Sequence, residues 1–340
     1  MEFMHPPLRV SIDVTGACNL SCRHCRHGSQ ACDELTLAEI SSVIDDVGQM
    51  GVFRLVISGG EPFLRRDILE ILLRALRTEV GRVFVSTNGT CMPKRVPDRL
   101  TAFRRRLTFK ISLDGAPDFH DAWRGRKGAF AKASASIRLL TQRGFDVQVT
   151  TTLMPSNLDS LSWLLEYVAE TGSSRHALVE VIPVGRAGVE MALSTDERIR
   201  AAEAIRFARS RGGHCEIISK IAFVDGRCSG FFCSGGIEEC GVLSDGRIVG
   251  CRLMPDVVAG NVREMPLSRV WSSSERFSLF RGITPARLQK TCRDCEMAAA
   301  CLGGCHAYAR ALGGSAYGPD PRCPRASREP AGETGTCSAH

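Results

Sequence analysis

The first half of the chain alternates short apolar runs with longer amphipathic stretches. The short runs are rich in β-branched residues and are predicted strands. They cover residues 8–13, 54–57, 82–86, 108–113, 146–153 and 178–182. Strands that alternate with helices form a parallel sheet with helices packed on it. The pattern therefore predicts an α/β domain over residues 8–185, preceded by an N-terminal tail of residues 1–7.

Two of the predicted helices begin at recognisable capping sequences. Thr36 with Glu39, and Ser194 with Glu197, fit the capping box, in which the first side chain bonds the third backbone N–H of the helix. Gly51 is expected to end the first of these helices. The second is predicted to run to about residue 211, within a bridging helix and strand over residues 186–225.

Composition and charge indicate an ordinary soluble chain. It has 340 residues, 44% of them hydrophobic and 24% charged, enough for a large core and a smaller second domain. No segment approaches the roughly 20 uncharged apolar residues of a membrane helix, and the start lacks the apolar core of a signal peptide. The net charge of +7 is scattered rather than clustered. We expect a cytoplasmic protein without membrane or nucleic-acid partners.

The cysteine content changes this picture. Sixteen cysteines are unusual in a chain without an export signal, because thiols stay reduced inside the cell. After about residue 225 the composition shifts to Cys, Gly and Arg, with too little apolar mass for a good core. Residues 226–325 are therefore predicted to form a small domain organised by bound metal, and residues 326–340 a disordered tail.

The first cysteine motif lies just after the first predicted strand. Cys18, Cys22 and Cys25 have the spacing C-x3-C-x2-C. Three thiolates can hold three irons of a four-iron cluster and leave the fourth iron open to a small molecule. The alternatives are a zinc site completed by His24 or His27, or unligated thiols. Iron is favoured because zinc motifs more often use paired C-x2-C.

With His24 before its last cysteine, this motif resembles the signature of the radical SAM superfamily. The segment SGGEP at residues 58–62 resembles the GGEP motif of that family, and ISLDG at residues 111–115 resembles its fourth-strand motif. The resemblance implies a partial (β/α)6 TIM-like barrel followed by a small Cys-rich iron–sulfur domain. It also implies a site for S-adenosylmethionine at the C-terminal ends of the strands, where such folds carry their active sites.

The GGEP residues have a physical interpretation in that setting. Gly59 and Gly60 leave backbone carbonyls open to an approaching ammonium group, Glu61 adds negative charge, and Pro62 fixes the turn. The methionyl amine of S-adenosylmethionine is such an ammonium. The alternative is a tight strand-to-helix turn without a ligand.

Other polar residues are candidates for the same cofactor site through the resemblance. His24 and Asn88 would line the pocket, and Ser112 and Asp114 resemble polar contacts on the ribose side. Arg124 would pair with the carboxylate of the cofactor, a task suited to a bidentate guanidinium. For Asn88, Asp114 and Arg124, a local turn or surface pairing is the alternative.

The C-terminal cysteines resemble the SPASM extension of radical SAM enzymes, which holds two auxiliary four-iron clusters. Two full clusters need eight cysteines, and Cys233 is the best eighth ligand, with Cys228 as the alternative. The resemblance assigns one cluster to Cys233, Cys240, Cys251 and Cys305, and the other to Cys292, Cys295, Cys301 and Cys323. Spacing alone would group Cys305 with its neighbours in the chain. A zinc ribbon is the alternative for the whole segment.

Five further cysteines have no assigned role. They are Cys32, Cys91, Cys215, Cys228 and Cys337. Some members of the family use a free thiol to donate a hydrogen atom to a substrate radical. Each of these cysteines is more often a small core or tail residue, so no donor is named.

The chemistry implied by the resemblance is reductive cleavage of S-adenosylmethionine to a 5′-deoxyadenosyl radical, which takes a hydrogen from the substrate. Auxiliary clusters would accept an electron, which predicts a net oxidation such as cross-linking, decarboxylation or dehydrogenation. The last domain looks like that of peptide maturases, so a ribosomally made peptide is the predicted substrate. A flavodoxin- or ferredoxin-type donor is the predicted electron source.

Other functions remain open at this point. The first strand begins near residue 8, so recognition of a peptide leader would need a separate protein. That requirement raises a rival, a sugar or aminocyclitol dehydrogenase or epimerase of antibiotic biosynthesis, with tetrapyrrole side-chain chemistry as a third case. A non-enzymatic electron carrier and a zinc-stabilised interaction protein are the alternatives outside enzymology.

Overall fold

A ten-stranded, mostly parallel sheet dominates the computed structural model, which describes residues 5–26, 33–222 and 233–326. The chain divides into two compact units. The first comprises the described residues up to Ile221 together with Ser234–Gly282, and it contains the whole sheet. The second comprises Ala222, Cys233 and the described residues from Ile283 onward.

Seven strands are parallel and adjacent in chain order. They are β1 (Arg9–Asp13), β2 (Arg54–Ser58), β3 (Arg82–Thr87), β4 (Leu107–Ser112), β5 (Asp146–Leu153), β6 (Arg175–Glu180) and β7 (Glu216–Lys220). On the other side of β1 lies β8 (Glu239–Val242), parallel to it, followed by the antiparallel β9 (Arg247–Val249) and β10 (Val258–Asn261). The predicted α/β fold with a parallel sheet is confirmed.

Helices separate the parallel strands. The first unit contains α1 (Leu37–Gln49), α2 (Ile68–Arg77), α3 (Arg95–Leu100), α4 (Pro117–Arg124), α5 (Ala129–Gln142), α6 (Leu161–Glu170), α7 (Thr195–Ser210), α8 (Leu267–Ser273) and α9 (Ser278–Arg281). Both predicted capping boxes are present, with Thr36 and Glu39 at α1 and Ser194 and Glu197 at α7. Helix α1 ends just before Gly51, which has a φ of +70°.

The two faces of the parallel sheet differ in polarity. Fully buried apolar residues such as Val10, Ile57 and Ile111 occupy alternate positions, and helices α2, α5, α6 and α7 contact their neighbouring strands. The positions between them carry polar side chains, among them Asp13 and Lys110. Because strand side chains alternate between faces, the helices cover the apolar face and leave a polar face, here named the lumen.

Strand β6 begins three residues before its predicted start. Its first residues are Arg175 and His176, whose polar side chains do not fit the apolar pattern used to predict strands. Arg175 forms an ion pair with Asp146 of β5. The His176 ring is buried and hydrogen-bonds the Thr151 hydroxyl at 2.8 Å. Strand β5 therefore supplies one partner to each side chain, while Arg175 Nε and His176 Nδ1 are buried without a hydrogen-bond partner among the described residues.

The second unit has short helices and a small core. It contains α10 (Lys290–Arg293), α11 (Ala298–Cys301) and α12 (His306–Gly313). Arg322 lies over the buried Tyr308 ring at 4.4 Å and pairs with Asp320 at 2.7 Å. In neither unit does the described part of the chain include a helix long and apolar enough to cross a membrane.

Candidate functional site

A pocket of about 620 Å³ lies at the C-terminal ends of the parallel strands, beside the loop that follows β1. The three cysteines of this loop line the pocket: Cys18 is exposed, Cys22 buried and Cys25 partly buried. Residues at the ends of β2, β3 and β4 also line it, namely Ser58, Thr87 and Ser112. The predicted motifs therefore meet at one place.

Backbone hydrogen bonds hold the cysteine loop against the glycine turn after β2. Gly60 N–H donates to the Thr15 carbonyl at 2.7 Å, and Glu61 N–H donates to the Ala17 carbonyl at 2.8 Å. A Cβ atom at Gly59 would lie 2.2 Å from the Thr15 carbonyl oxygen, and one at Gly60 would lie 2.2 Å from that of Ala17. Both glycines line the pocket, yet the close approach of the cysteine loop already requires them.

The Glu61 carboxylate points into the protein, and its role at the cofactor stays a prediction. It is fully buried and accepts hydrogen bonds from Thr87 Oγ1 at 2.7 Å, Asn88 N–H at 2.7 Å and Phe63 N–H at 3.1 Å. Burial raises the pKa of Glu61 in spite of these donors. Neither Glu61 nor Pro62 is among the described residues that line the pocket. Glu61 instead ties the glycine turn to the end of β3.

Arg124 lines the pocket and has two protein partners, and its pairing with the cofactor carboxylate stays a prediction. Its Nε donates to Asp114 at 2.7 Å, and its Nη1 lies 3.5 Å from the Cys22 sulfur. Asp114 is fully buried behind the pocket wall and also accepts the Thr152 N–H at 3.0 Å. Burial alone would raise the pKa of Asp114, but Arg124 lowers it. Asp114 therefore fixes the positively charged guanidinium of Arg124 beside the Cys22 sulfur.

Asn88 and Ser112 lie on the pocket wall, and their contact with the cofactor stays a prediction. The Asn88 amide donates to Asn19 Oδ1 at 2.9 Å and lies 3.9 Å from the Cys18 sulfur. Thr90 donates to the Asn88 side-chain oxygen at 2.7 Å, which fixes the orientation of the amide. Asn88 thus contacts both the pocket and the cysteine loop.

His24 lines the pocket and is held by Trp123 of α4. The indole N–H donates to His24 Nδ1, and the two rings stack at 6.0 Å. Burial lowers the pKa of His24 to about 4, so the imidazole is neutral at pH 7. Across the described residues, no three Cys, His, Asp or Glu side chains converge closely enough to ligate one metal ion. His27, the other zinc candidate, lies outside those residues.

Three arginines of the pocket wall had no role in the sequence prediction. Arg26 and Arg252 both bond the buried Asp13 carboxylate, at 2.9 Å and 2.8 Å, and Arg186 lies exposed nearby on the same wall. Arg26 directly follows Cys25, and Arg252 directly follows Cys251. Their position directly after predicted metal ligands was the signal in the sequence that could have indicated a place at the site.

A second cavity, within the second unit, collects four of the C-terminal cysteines. Cys292, Cys295, Cys301 and Cys323 all line it. An Arg325 guanidinium nitrogen lies 3.1 Å from the Cys295 sulfur. This is the set that the resemblance assigned to one auxiliary cluster, and Cys305 does not line the cavity.

Cys305 interacts instead with Cys233, inside the same unit. Burial raises the pKa of Cys305 to about 11, and the nearby Cys233 adds to this effect. Cys240 on β8 and Cys251 belong to the first unit. The first auxiliary set therefore stays a prediction, and Cys228, its alternative member, lies outside the described residues.

Of the unassigned thiols, Cys91 and Cys215 lie within the described residues, and neither lines the cofactor pocket. Burial raises the pKa of Cys91 to about 12 and that of Cys215 to about 11, so both are protonated at pH 7. Cys32, Cys228 and Cys337 lie outside the described residues. A hydrogen-donating cysteine stays a prediction.

Comparison with known proteins identifies the family. The family model of the radical SAM superfamily matches residues 12–168. The AdoMet-dependent heme synthase of Methanosarcina barkeri is 32% identical, over 93% of this chain and 96% of its own length. This chain belongs to the radical SAM superfamily. A model of the SPASM iron–sulfur cluster-binding domain matches residues 233–296.

One further relative and one solved structure are similar to this radical SAM protein. Mycofactocin maturase MftC of Mycolicibacterium smegmatis is 31% identical, over 93% of this chain and 82% of its own length. Streptococcus suis SuiB bound to S-adenosylmethionine has the same fold, with a TM-score of 0.81 at 17% identity, over 94% of this chain and 77% of SuiB. The named relatives are synthases and maturases, so this protein is an enzyme.

The residues present fit the cofactors of the family. The radical SAM domain binds S-adenosylmethionine and a four-iron cluster, and the SPASM domain binds auxiliary iron–sulfur clusters. When bound, the four-iron cluster of the radical SAM domain would supply the electron for one-electron cleavage of the sulfonium of S-adenosylmethionine. Three thiols share one loop on the wall of the pocket, and the open Gly59–Gly60 backbone lies on the same wall. The cysteines that hold a four-iron cluster bind different irons, so they can lie further apart than the ligands of a single metal ion.

The thiols of the second cavity support a direct test of their role. The double substitution Cys292→Ala and Cys295→Ala is expected to lower the iron content of the reconstituted protein by about one cluster, or roughly four irons per chain. Cleavage of S-adenosylmethionine should persist, because its candidate residues lie in the first unit. Iron analysis and the assay of 5′-deoxyadenosine check both expectations. An unchanged iron content would refute this ligand set.

Proposed function

We propose that this radical SAM enzyme oxidises its substrate, which loses a hydrogen atom and an electron in each turnover. The observation that carries the proposal is the second cavity, lined by Cys292, Cys295, Cys301 and Cys323. Four thiolates fill the ligand positions of a four-iron cluster and leave no iron open to substrate. Such a cluster serves electron transfer, so it can accept the electron that the substrate gives up.

In this proposal the pocket of the first unit cleaves the cofactor. Cys18, Cys22 and Cys25 hold the first cluster, and Gly59 and Gly60 present backbone groups to S-adenosylmethionine. The pocket-lining residues His24, Asn88 and Ser112 shape the rest of the cofactor site. Arg124 and Asp114 act as positioning residues behind Cys22. An external flavodoxin- or ferredoxin-type protein supplies the electron.

A tetrapyrrole side chain is the first candidate substrate. The heme synthase relative supports it, since the alignment spans 96% of that enzyme. A propionate side chain becomes a vinyl group when it loses CO2, one hydrogen atom and one electron. The reaction therefore balances with one hydrogen abstraction and one electron passed to an auxiliary cluster.

A ribosomally made peptide is the second candidate. It is favoured by the mycofactocin maturase, at 31% identity, and SuiB has been solved with its precursor peptide SuiA. In that case a separate peptide-recognition protein is the expected partner. Oxidation of a sugar or aminocyclitol stays a prediction.

The experiment that tests the proposal uses anaerobically reconstituted, reduced protein with S-adenosylmethionine and iron coproporphyrin III, a tetrapyrrole with propionate side chains. We expect loss of CO2 and two hydrogens from the tetrapyrrole, with one 5′-deoxyadenosine formed per propionate converted, measured by mass spectrometry. The Cys292→Ala and Cys295→Ala variant should form 5′-deoxyadenosine and little oxidised product. Unchanged tetrapyrrole, with a peptide precursor modified in its place, would establish the second candidate.

A further inference from the structure

Two lysines of the lumen adjoin the wall of the cofactor pocket. Lys110 of β4 lies opposite Ser86 of β3, and Lys220 of β7 lies opposite Val179 of β6. Ser86 and Val179 both line the pocket. Side chains opposite one another in neighbouring parallel strands point to the same face of the sheet, about 5 Å apart. Lys110 and Lys220 therefore extend the pocket wall into the lumen.

Two arginines continue this charged surface toward the other end of the strands. Arg9 of β1 lies opposite Arg54 of β2, on the face that carries Asp13 and the pocket residue Ser58 four residues further along. The Arg54 guanidinium lies 5.9 Å from the centre of the Phe84 ring. With the pocket residue Arg252, these side chains are named the lumen cations: Arg9, Arg54, Lys110, Lys220 and Arg252.

The lumen cations are close enough to affect one another. Burial, together with repulsion by Arg9, Arg252 and Lys220, lowers the pKa of Lys110 to about 7. Burial, Arg9 and Arg54 likewise lower the pKa of Lys220. Like charges in a partly enclosed space cost free energy unless an anion offsets them.

The acidic groups of the first unit compensate only part of this charge. Arg9 forms an ion pair with Glu239, and Arg252 bonds Asp13. In the part of the chain that the structure describes, the ammonium groups of Lys110 and Lys220 have no hydrogen-bond or ion-pair partner. The lumen therefore offers two basic side chains that adjoin the pocket, and a carboxylate bound beside them would raise their pKa values and favour the charged forms.

We propose that the lumen cations, with Lys110 and Lys220 foremost, bind carboxylate groups of the substrate. This inference rests on the proposed oxidation, because it requires the substrate to occupy the lumen beside the cofactor pocket. The ligand class is a small molecule with several carboxylates. One part of it reaches the cofactor pocket while its other carboxylates bind the lysines, which orients the molecule. A tetrapyrrole that carries propionates has this chemistry.

The test uses the reconstituted holoenzyme with both lysines replaced, Lys110→Met and Lys220→Met. The matched control is Lys94→Met, since Lys94 is an exposed lysine outside the sheet. Iron coproporphyrin III and its methyl ester are titrated against each protein, and binding is followed by absorbance. We expect the double variant to bind the acid about tenfold or more weakly, because each carboxylate loses its charged partner. The ester, which lacks the carboxylates, should bind equally to all three proteins.

A second probe separates this inference from the proposed substrate. Tricarballylate, a small tricarboxylate, should raise the thermal unfolding midpoint of the wild type above that in sodium chloride of equal ionic strength. The double variant should show no such rise. If tricarballylate behaves in this way but the tetrapyrrole does not bind, the tetrapyrrole function fails and the carboxylate site stands. Equal binding of both probes by wild type and double variant would overturn the site.

A folding defect in the double variant would be visible in its iron content and circular dichroism. In that event the single substitutions Lys110→Gln and Lys220→Gln, which keep a polar but uncharged side chain, replace it. Each is expected to weaken binding of the acid and to leave binding of the ester unchanged. A single variant that folds and binds the acid like the wild type would exclude that lysine.

Discussion

The triple substitution Cys18→Ala, Cys22→Ala and Cys25→Ala is expected to abolish cleavage of S-adenosylmethionine. These thiols share the pocket wall with Gly59 and Gly60, and without them the first cluster has no ligands. Iron should fall from about twelve to about eight per chain, since the auxiliary cysteines are untouched. Chromatography of 5′-deoxyadenosine and iron analysis measure the two effects.

Cys215→Ala provides a matched control for the triple variant. Cys215 is partly buried just before β7 and does not line the cofactor pocket. This variant should keep both its iron and its cleavage activity. If the triple variant still cleaved the cofactor, or lost all its iron, the assignment of the first cluster to this loop would be wrong.

Removal of the Arg124 side chain is expected to destabilise the protein strongly. Arg124→Ala leaves the Asp114 carboxylate fully buried without its ion-pair partner. Breaking a buried pair in this way costs about 3–5 kcal/mol. The exposed pair of Arg143 and Asp98 is the control, and Arg143→Ala should cost at most about 1 kcal/mol. Denaturant unfolding of the anaerobic holoenzyme measures both.

The pH dependence of stability should reverse in this variant. In the wild type Arg124 lowers the pKa of Asp114, so the pair stabilises the fold above the unfolded pKa of the carboxyl, and acid removes this contribution. In Arg124→Ala, burial is no longer opposed and raises the pKa of Asp114. The deficit of the variant should therefore shrink as the pH falls from 8 toward the ordinary pKa of an aspartic acid, about 4. A deficit that stays constant over this interval would show that Asp114 is not the cause.

The elements that the sequence predicted well are those with a local signal. The apolar alternation of β5 and the capping box at Thr36 require no partner in order to be recognised, and both are present. Strands β8 to β10 were missed because they are only three or four residues long. Their pairing, with β1 and with one another, depends on tertiary contact.

The candidate site likewise has features that the sequence predicted and features that depend on tertiary contact. The order of the cysteine and glycine motifs predicted where the pocket lies, because the carboxyl ends of parallel strands meet at one edge. The direction of the Glu61 carboxylate could not be predicted, since its donors Thr87 and Asn88 come from the next strand. Lys110 and Lys220 are far apart in sequence, and only the sheet brings their charges together.

The parallel pairing of β1 with β8 has a consequence for the synthesis of the chain. β1 leaves the ribosome first and finds β2 early, but its other edge stays open until β8, Glu239–Val242, has been made. An open strand edge invites pairing with another chain. Nascent or truncated forms that end before β8 are therefore prone to aggregation. Soluble protein is expected only from polypeptides that include β8.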